Sequence, residues 1–440
     1  MLEHADLIVS DEDDAAVAVG EFRGLCDKLF GHAIGTLAQA RPTCRRPCSC
    51  PAIRPVFLTG SGAGICPLPV ANATSVPARQ GCAGGRVRGN RLPDSAVVCF
   101  QTDRLDRGSD AIRRSALSSS IRPETEAMNQ PRIDGLRSIE LGVRDLQKSA
   151  DFYRRVWALE DVSADGDTIH LRGTSRDHHV VTLRERPRAS MLAVHFSAPD
   201  RAAIDALHAK AKAMGAMIDD APSALPKSEG GGYGFRVTSP DGHPLCISAD
   251  VAQHAEAIDD RSRPTKLTHV VLNSAEIEKQ TAFFVDVLGF KWSDSTVMMD
   301  FVRCCSDHHS VAIARGNGPS LNHMAYEMPN IDGLMRGAGR VRKSGYEILW
   351  GVGRHGPGSN VFSYFVEPNG FVTEYTTEVD QVGDNYVGHD GKWWMEQNVF
   401  PCRWNMAGVP SPFTRKAMSG ELLEEENKRC EEIMAQALGR

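Results

Sequence analysis

The segment beginning at Leu267 repeats the segment beginning at Leu136, and a chain duplicated in this way is constrained to fold as two copies of one unit. Leu136-Arg-Ser-Ile-Glu-Leu lies over Leu267-Thr-His-Val-Val-Leu, and Asp151-Phe-Tyr over Ala282-Phe-Phe, at an offset of 131 residues. In that register His269 falls opposite Ser138. Ala198-Pro-Asp over Met328-Pro-Asn then sets His323 opposite Ala193, and Ser239-Pro-Asp-Gly over Glu367-Pro-Asn-Gly sets Glu374 opposite Cys246. A fold that both copies share cannot require two imidazoles and a carboxylate that one copy does without. The difference therefore points to chemistry in the second copy.

Each copy holds two smaller units. A short alternating strand (138–143 or 269–273) leads into an amphipathic helix (145–157 or 277–288) and then further strands, such as Thr168-Ile-His-Leu-Arg. The second unit opens with Leu192-Ala-Val-His-Phe-Ser or Leu321-Asn-His-Met-Ala-Tyr-Glu and continues with a helix over 202–214 or 331–344. It closes with strands around a Pro-Asp-Gly or Pro-Asn-Gly turn. The pattern predicts an α+β chain of four βαβββ modules paired into two similar domains, at 135–252 and 265–380, joined by Asp259-Asp-Arg-Ser-Arg-Pro.

The flanks read differently. Residues 381–440 form a tail in which Trp393, Trp394, Phe400 and Trp404 serve as apolar anchors on the second domain or on a neighbouring subunit, and 420–438 is a charged helix. Apolar surface of this kind implies a homo-oligomer. Residues 1–127 hold one candidate helix over 14–30. From Arg41 to Ser120 they are rich in Arg, Pro, Gly, Ser and Cys without a sustained period. This predicts a disordered extension, or a segment that precedes a true start at Met128.

Charge and composition remove several classes of function. A formal charge of −6 without a basic stripe gives no nucleic-acid surface. No apolar run reaches the roughly 18 residues a membrane helix needs. The amino terminus carries Asp11, Glu12, Asp13 and Asp14 where an export signal needs basic and then apolar residues, so a cytoplasmic location is expected. Of the twelve cysteines, seven lie in the first hundred residues, a distribution that reads as reduced thiols and not as a disulfide framework. Cys44-Arg-Arg-Pro-Cys-Ser-Cys lacks the paired spacing of a zinc site.

Period-2 geometry decides which residues point together. His269 shares a strand face with Val271, His323 with Ala325, and Glu374 with Val372. Each candidate ligand thus projects from a strand among small or apolar neighbours. A lone strand histidine reads as a hydrogen-bonded core residue; three replacements in the sister copy read as a metal site. Two imidazoles and one carboxylate match the facial triad of non-haem Fe(II) oxygenases.

At this point residues 135–380 resemble the type I extradiol ring-cleavage dioxygenases of the vicinal oxygen chelate superfamily, which include 2,3-dihydroxybiphenyl and catechol 2,3-dioxygenases. The resemblance rests on the three ligand strands, on Asp307-His-His-Ser-Val-Ala, and on Gly353-Arg-His-Gly-Pro-Gly-Ser-Asn-Val-Phe-Ser-Tyr-Phe-Val-Glu-Pro-Asn-Gly-Phe-Val-Thr-Glu. It implies the glyoxalase-like fold of that superfamily, with metal only in the second domain. It also implies His269, His323 and Glu374 as ligands of Fe(II), with Mn(II) compatible, His309 as acid-base group, Tyr364 as catalytic tyrosine and His355 on the substrate side. The expected partners are a catechol-type diol and O2, whose two atoms enter the ring in aromatic catabolism. The chain departs from the family pattern at Ser363, where an apolar residue is common, and at Gly356-Pro-Gly-Ser, which lacks an acidic residue some members carry. Both departures bear on substrate contacts. Phe301, Met324 and Phe362 are candidate pocket walls.

Two alternatives belong to the same scaffold: a glyoxalase-like isomerase or thiol transferase, and a metal-free binding protein. The isomerases and transferases need a metal but not an Asp-His-His segment, nor a tyrosine ten residues before the glutamate, the spacing of Tyr364 and Glu374. The filled triad argues against a metal-free role.

Overall fold

The computed structural model of the chain describes residues 131–437, so the expectations for 1–127, its helix included, lie outside the described residues. Two curved sheets follow one another. The first is built from β1 (Gly135–Val143), β2 (Glu160–Asp165), β3 (Thr168–Arg172), β4 (Val181–Glu185), β5 (Ser190–Ser197), β6 (Met217–Ile218), β7 (Ser223–Ala224), β8 (Tyr233–Thr238) and β9 (Pro244–Ala249). Its strand order is β2-β3-β4-β1-β5-β9-β8-β6, with β7 on β8.

The second sheet repeats that order with β10 (Leu267–Ser274), β11 (Lys291–Ser295), β12 (Met299–Arg303), β13 (Val311–Arg315), β14 (Ser320–Glu327), β15 (Trp350–Arg354), β16 (Val361–Val366) and β17 (Val372–Thr377). It reads β11-β12-β13-β10-β14-β17-β16-β15. Two βαβββ modules therefore meet edge to edge in each sheet, through the antiparallel pairs β1–β5 and β10–β14.

Register carries the duplication to single residues. His269 pairs with Ala325, and Ala325 with Glu374. In the first sheet Ser138 pairs with His195, and His195 with Cys246. The positions matched in sequence are thus the same positions in the fold.

Alternation divides each sheet into a helix-facing side and a concave side. On β14, Met324 and Tyr326 join the helix-side core, and His323 and Ala325 face the hollow. The long helices Arg201–Ala213 and Ile331–Lys343 start where Asp200 and Asn330 accept hydrogen bonds from the amides of Ala203 and Gly333, the N-cap geometry that satisfies a first-turn donor. The first-module helices differ from expectation. Leu146–Asp151 and Ile277–Ala282 are α-helical, but each continues as a π-helical turn, Phe152–Val156 and Phe283–Val287. The wider turn carries a run of aromatics into the core: Phe152 and Tyr153 in one copy, Phe283 and Phe284 in the other.

Those aromatics also join the two domains. Trp157 stacks on Tyr375 with ring centroids 3.8 Å apart, and the Tyr375 hydroxyl donates to the Trp157 carbonyl at 2.8 Å. From the second copy Phe284, the counterpart of Tyr153, meets Phe196 of the first.

The tail is three helices rather than one: Gly391–Gln397, Pro412–Met418 and Glu421–Ala437. The last docks on the first domain through Asn427, which bonds both the amide and the carbonyl of Ala189. Phe400, expected as an anchor, is 73% exposed; Cys402, buried against Arg354 and Gly353, holds that segment instead. No helix among the described residues is long and apolar enough to cross a membrane. The five cysteines of the described residues are free thiols.

Candidate metal centre

Among the described residues, His269, His323 and Glu374 are the one group of His, Cys, Asp or Glu side chains whose ligand atoms converge, all lying within 4.8 Å of one another. Adjacent strands bring them together: β10 contributes His269, β14 His323 and β17 Glu374, and all three are buried. Glu374 Oε2 lies 3.2 Å from His269 Nε2 and 3.3 Å from His323 Nε2. Burial works to raise the Glu374 carboxyl, but the two imidazoles outweigh it and hold the group well below the usual carboxylate range.

The proton on His323 can be placed by following its hydrogen bonds outward. The Met418 carbonyl can only accept, so Asn273 donates its Nδ2 there and turns Oδ1 toward Asn322. Asn322 Nδ2 donates to that oxygen, which leaves Asn322 Oδ1 to accept from His323 Nδ1 at 2.8 Å. The lone pair of His323 is therefore on Nε2, facing a carboxylate oxygen. Two lone pairs facing one another repel unless a positive charge, a proton or a metal ion, lies between them, and the N2O donor set fits Fe(II) or Mn(II). Asn360 adds a contact from Nδ2 to the other carboxylate oxygen at 3.4 Å.

The remaining candidates surround this group. The His309 ring lies 4.4 Å from that of His269. Burial, with four neighbouring histidines, holds His309 well below the ordinary imidazole range, so it is neutral near pH 7. Tyr364 meets His323 edge to face at 5.0 Å, and its hydroxyl is 2.9 Å from His355 Nε2. Burial and the neighbouring Glu374 keep the Tyr364 phenol protonated, and burial brings His355 down to about 4. Gly358, with φ +71°, passes so close to the His308–His309 pair that a Cβ there would stand 3.1 Å from both rings.

The candidate walls separate. Phe301 lies 5.2 Å from His309, and Phe362 stacks on His355 at 4.0 Å. Met324 is in the helix-side core, on the opposite face of β14 from His323, because neighbouring strand residues alternate. Cys304 and Cys305 bond Ser310 and stand apart from the ligand group.

Four contributors did not emerge from the sequence reading: Trp350, stacked on Tyr364 at 5.3 Å, and Asn322, Asn360 and Asp294. For Asn322 and Asp294 a signal existed, since the sister copy has Leu192 and Ser163 in their places.

Comparison with known proteins agrees with this layout. The model of the Glyoxalase/Bleomycin resistance protein/Dioxygenase superfamily matches residues 135–247 and 266–375. Metapyrocatechase 2 of Cupriavidus necator is 29% identical over 158 residues, 35% of this chain and about half, 48%, of that protein. A manganese-dependent 2,3-dihydroxybiphenyl 1,2-dioxygenase of Geobacillus genomosp. 3 is 26% identical, over 52% of this chain and 80% of that one. The Mn(II)-bound glyoxalase from Novosphingobium aromaticivorans superposes with a TM-score of 0.59 at 39% identity, over 64% of this chain and 94% of its own.

Proposed function

The chain belongs to the Glyoxalase/Bleomycin resistance protein/Dioxygenase superfamily, and from that membership and the ligand group we propose that it cleaves a catechol-type diol on the extradiol side. The observation that carries this reading is the convergence of His269, His323 and Glu374 with a neutral imidazole, His309, beside them. We read 135–252 as a domain without metal and 265–380 as the catalytic domain of a cytoplasmic protein. The exposed Met395, Phe400, Met406 and Phe413 of the tail support self-association.

Nε2 of both histidines and the Glu374 carboxylate would hold a divalent ion, Fe(II) or Mn(II), which would supply Lewis acidity toward the diol and O2. The protein does the rest. His309, neutral and buried, takes a proton from the diol and returns one later. Tyr364, protonated and held by His355, donates to a substrate oxygen as negative charge grows there. Phe301, Trp350 and Phe362 line these groups with aromatic surface that limits water.

The second reading is a glyoxalase-like isomerase, favoured by the 39% identity to the Novosphingobium protein. Full-length protein loaded anaerobically with Fe(II) and mixed with monocyclic and biaryl catechols in air separates the two. Oxygen uptake with a yellow product supports cleavage, and His309→Gln should lower kcat by about 100-fold or more. Hemithioacetal turnover without oxygen uptake on any catechol overturns it in favour of the isomerase.

A further inference from the structure

His309 is not isolated from the protein behind it. Its Nδ1 lies 3.1 Å from His308 Nδ1, and His308 Nε2 lies 2.9 Å from Asp294 Oδ2. Asp294 is fully buried on β11. Its Oδ1 takes the backbone N–H of His389 at 2.6 Å, and the Tyr386 hydroxyl reaches the carboxylate at 3.2 Å. We propose that Asp294 is a positioning residue which, through His308, holds His309 in the tautomer with its proton on Nδ1 and its lone pair on Nε2.

The outermost group of this relay has only one option. A backbone N–H can only donate, so Asp294 accepts from His389, and a carboxylate has only acceptors to offer His308 as well. His308 must then donate from Nε2. A His308 ring that carries a single N–H, as the proposal requires, leaves Nδ1 bare to accept from His309 Nδ1. His309 is left with Nε2 as its base, on the side of the ring away from His308.

The first copy serves as an internal control. His178 and His179 make the same contact, Nδ1 to Nδ1 at 2.9 Å, so the imidazole pair itself belongs to the fold. The residue in the place of Asp294 is Ser163, at the same bulge of the strand, and its hydroxyl donates to the Ser228 carbonyl. His178 stacks on His254 and, among the described residues, forms no ion pair with a carboxylate. The acid that fixes the direction of the relay thus occurs only in the copy that carries the ligand group. That Nε2 acts as a base rests on the dioxygenase reading; the tautomer itself does not.

The test reads ring nitrogens directly. Full-length protein labelled with 15N-histidine and loaded with diamagnetic Zn(II) is examined by long-range 1H–15N correlation, with His308→Gln and His309→Gln used for assignment. His309 protonated on Nδ1 in the wild type is the expected result. In Asp294→Asn the amide oxygen remains with His389 and Tyr386, so Nδ2 donates to His308 Nε2, the relay reverses, and the His309 proton moves to Nε2. With Fe(II) and a catechol, the same variant should lose about 100-fold in kcat with KM unchanged.

A wild-type His309 protonated on Nε2, as a doubly protonated His308 would require, overturns the inference, and so does a tautomer that Asp294→Asn leaves unmoved. Should that variant not fold, the wild-type spectrum alone decides the first point and Asp294→Ser, the residue of the first copy, the second. Absence of catechol cleavage by the wild type would remove the dioxygenase reading and leave the tautomer result standing.

Discussion

At the scale of single residues, the duplication acts as a controlled substitution experiment. Ser138, Ala193 and Cys246 show that the fold tolerates the loss of His269, His323 and Glu374, so these three residues were legible before any coordinates. Asn322 and Asp294 pass the same test and could have been found by it, since Leu192 and Ser163 replace them. They were missed because neither amide nor lone carboxylate announces a ligand; their value lies in which nitrogen they face. Replacing Asn322 by Leu, as in the first copy, frees the His323 ring to adopt either tautomer. The expected outcome is metal affinity about 10–100-fold weaker, read by competition with a chelator. Unchanged affinity would show that Asn322 does not orient the ligand.

At the scale of the element, strand period decides which side chains share a face. Alternation placed His323 in the hollow and should have excluded Met324 from its wall, since the two are neighbours on β14. Helix period found Ile277–Ala282 but not the π-helical turn after it, which depends on aromatic packing that no local propensity encodes. In the first sheet the hollow is filled by ion pairs instead. On β1 the Glu140 carboxylate meets Arg184 at 2.7 Å and His195, on β5, at 3.7 Å.

Burial opposes the charge on His195, yet Cys246 and Glu140 outweigh it and raise the imidazole to about 9. Because the folded value lies above the ordinary one of 6.5, the stabilisation is complete below about pH 6.5 and disappears as pH rises through about 9. It amounts to on the order of 3 kcal/mol. Urea unfolding should therefore show the wild type losing the Glu140 share of that advantage over Glu140→Gln between about pH 6 and about pH 10. A difference independent of pH would rule out the pairing as its source.

At the scale of the whole molecule, the two sheets are held by reciprocal aromatic contacts, of which Trp157 on Tyr375 is the tightest stack between them. Trp157 is fully buried, so Trp157→Ala should cost about 3–5 kcal/mol. Calorimetry should resolve two transitions in the variant and one in the wild type, because the stack links otherwise separate cores. A single transition with an unchanged midpoint would mean that the domains are coupled elsewhere. The tail shows the same dependence on distant contacts. Its backbone groups, the Met418 carbonyl and the His389 amide, end the two hydrogen-bond relays that reach His323 and His309. The sequence alone determined the modules, their pairing and the three side chains that converge, because periodicity and duplication are written locally and repeat. Only the tertiary structure decided which imidazole nitrogen faces the centre, because that choice depends on relays that end at Met418 and His389, far along the chain, whose approach no local pattern records.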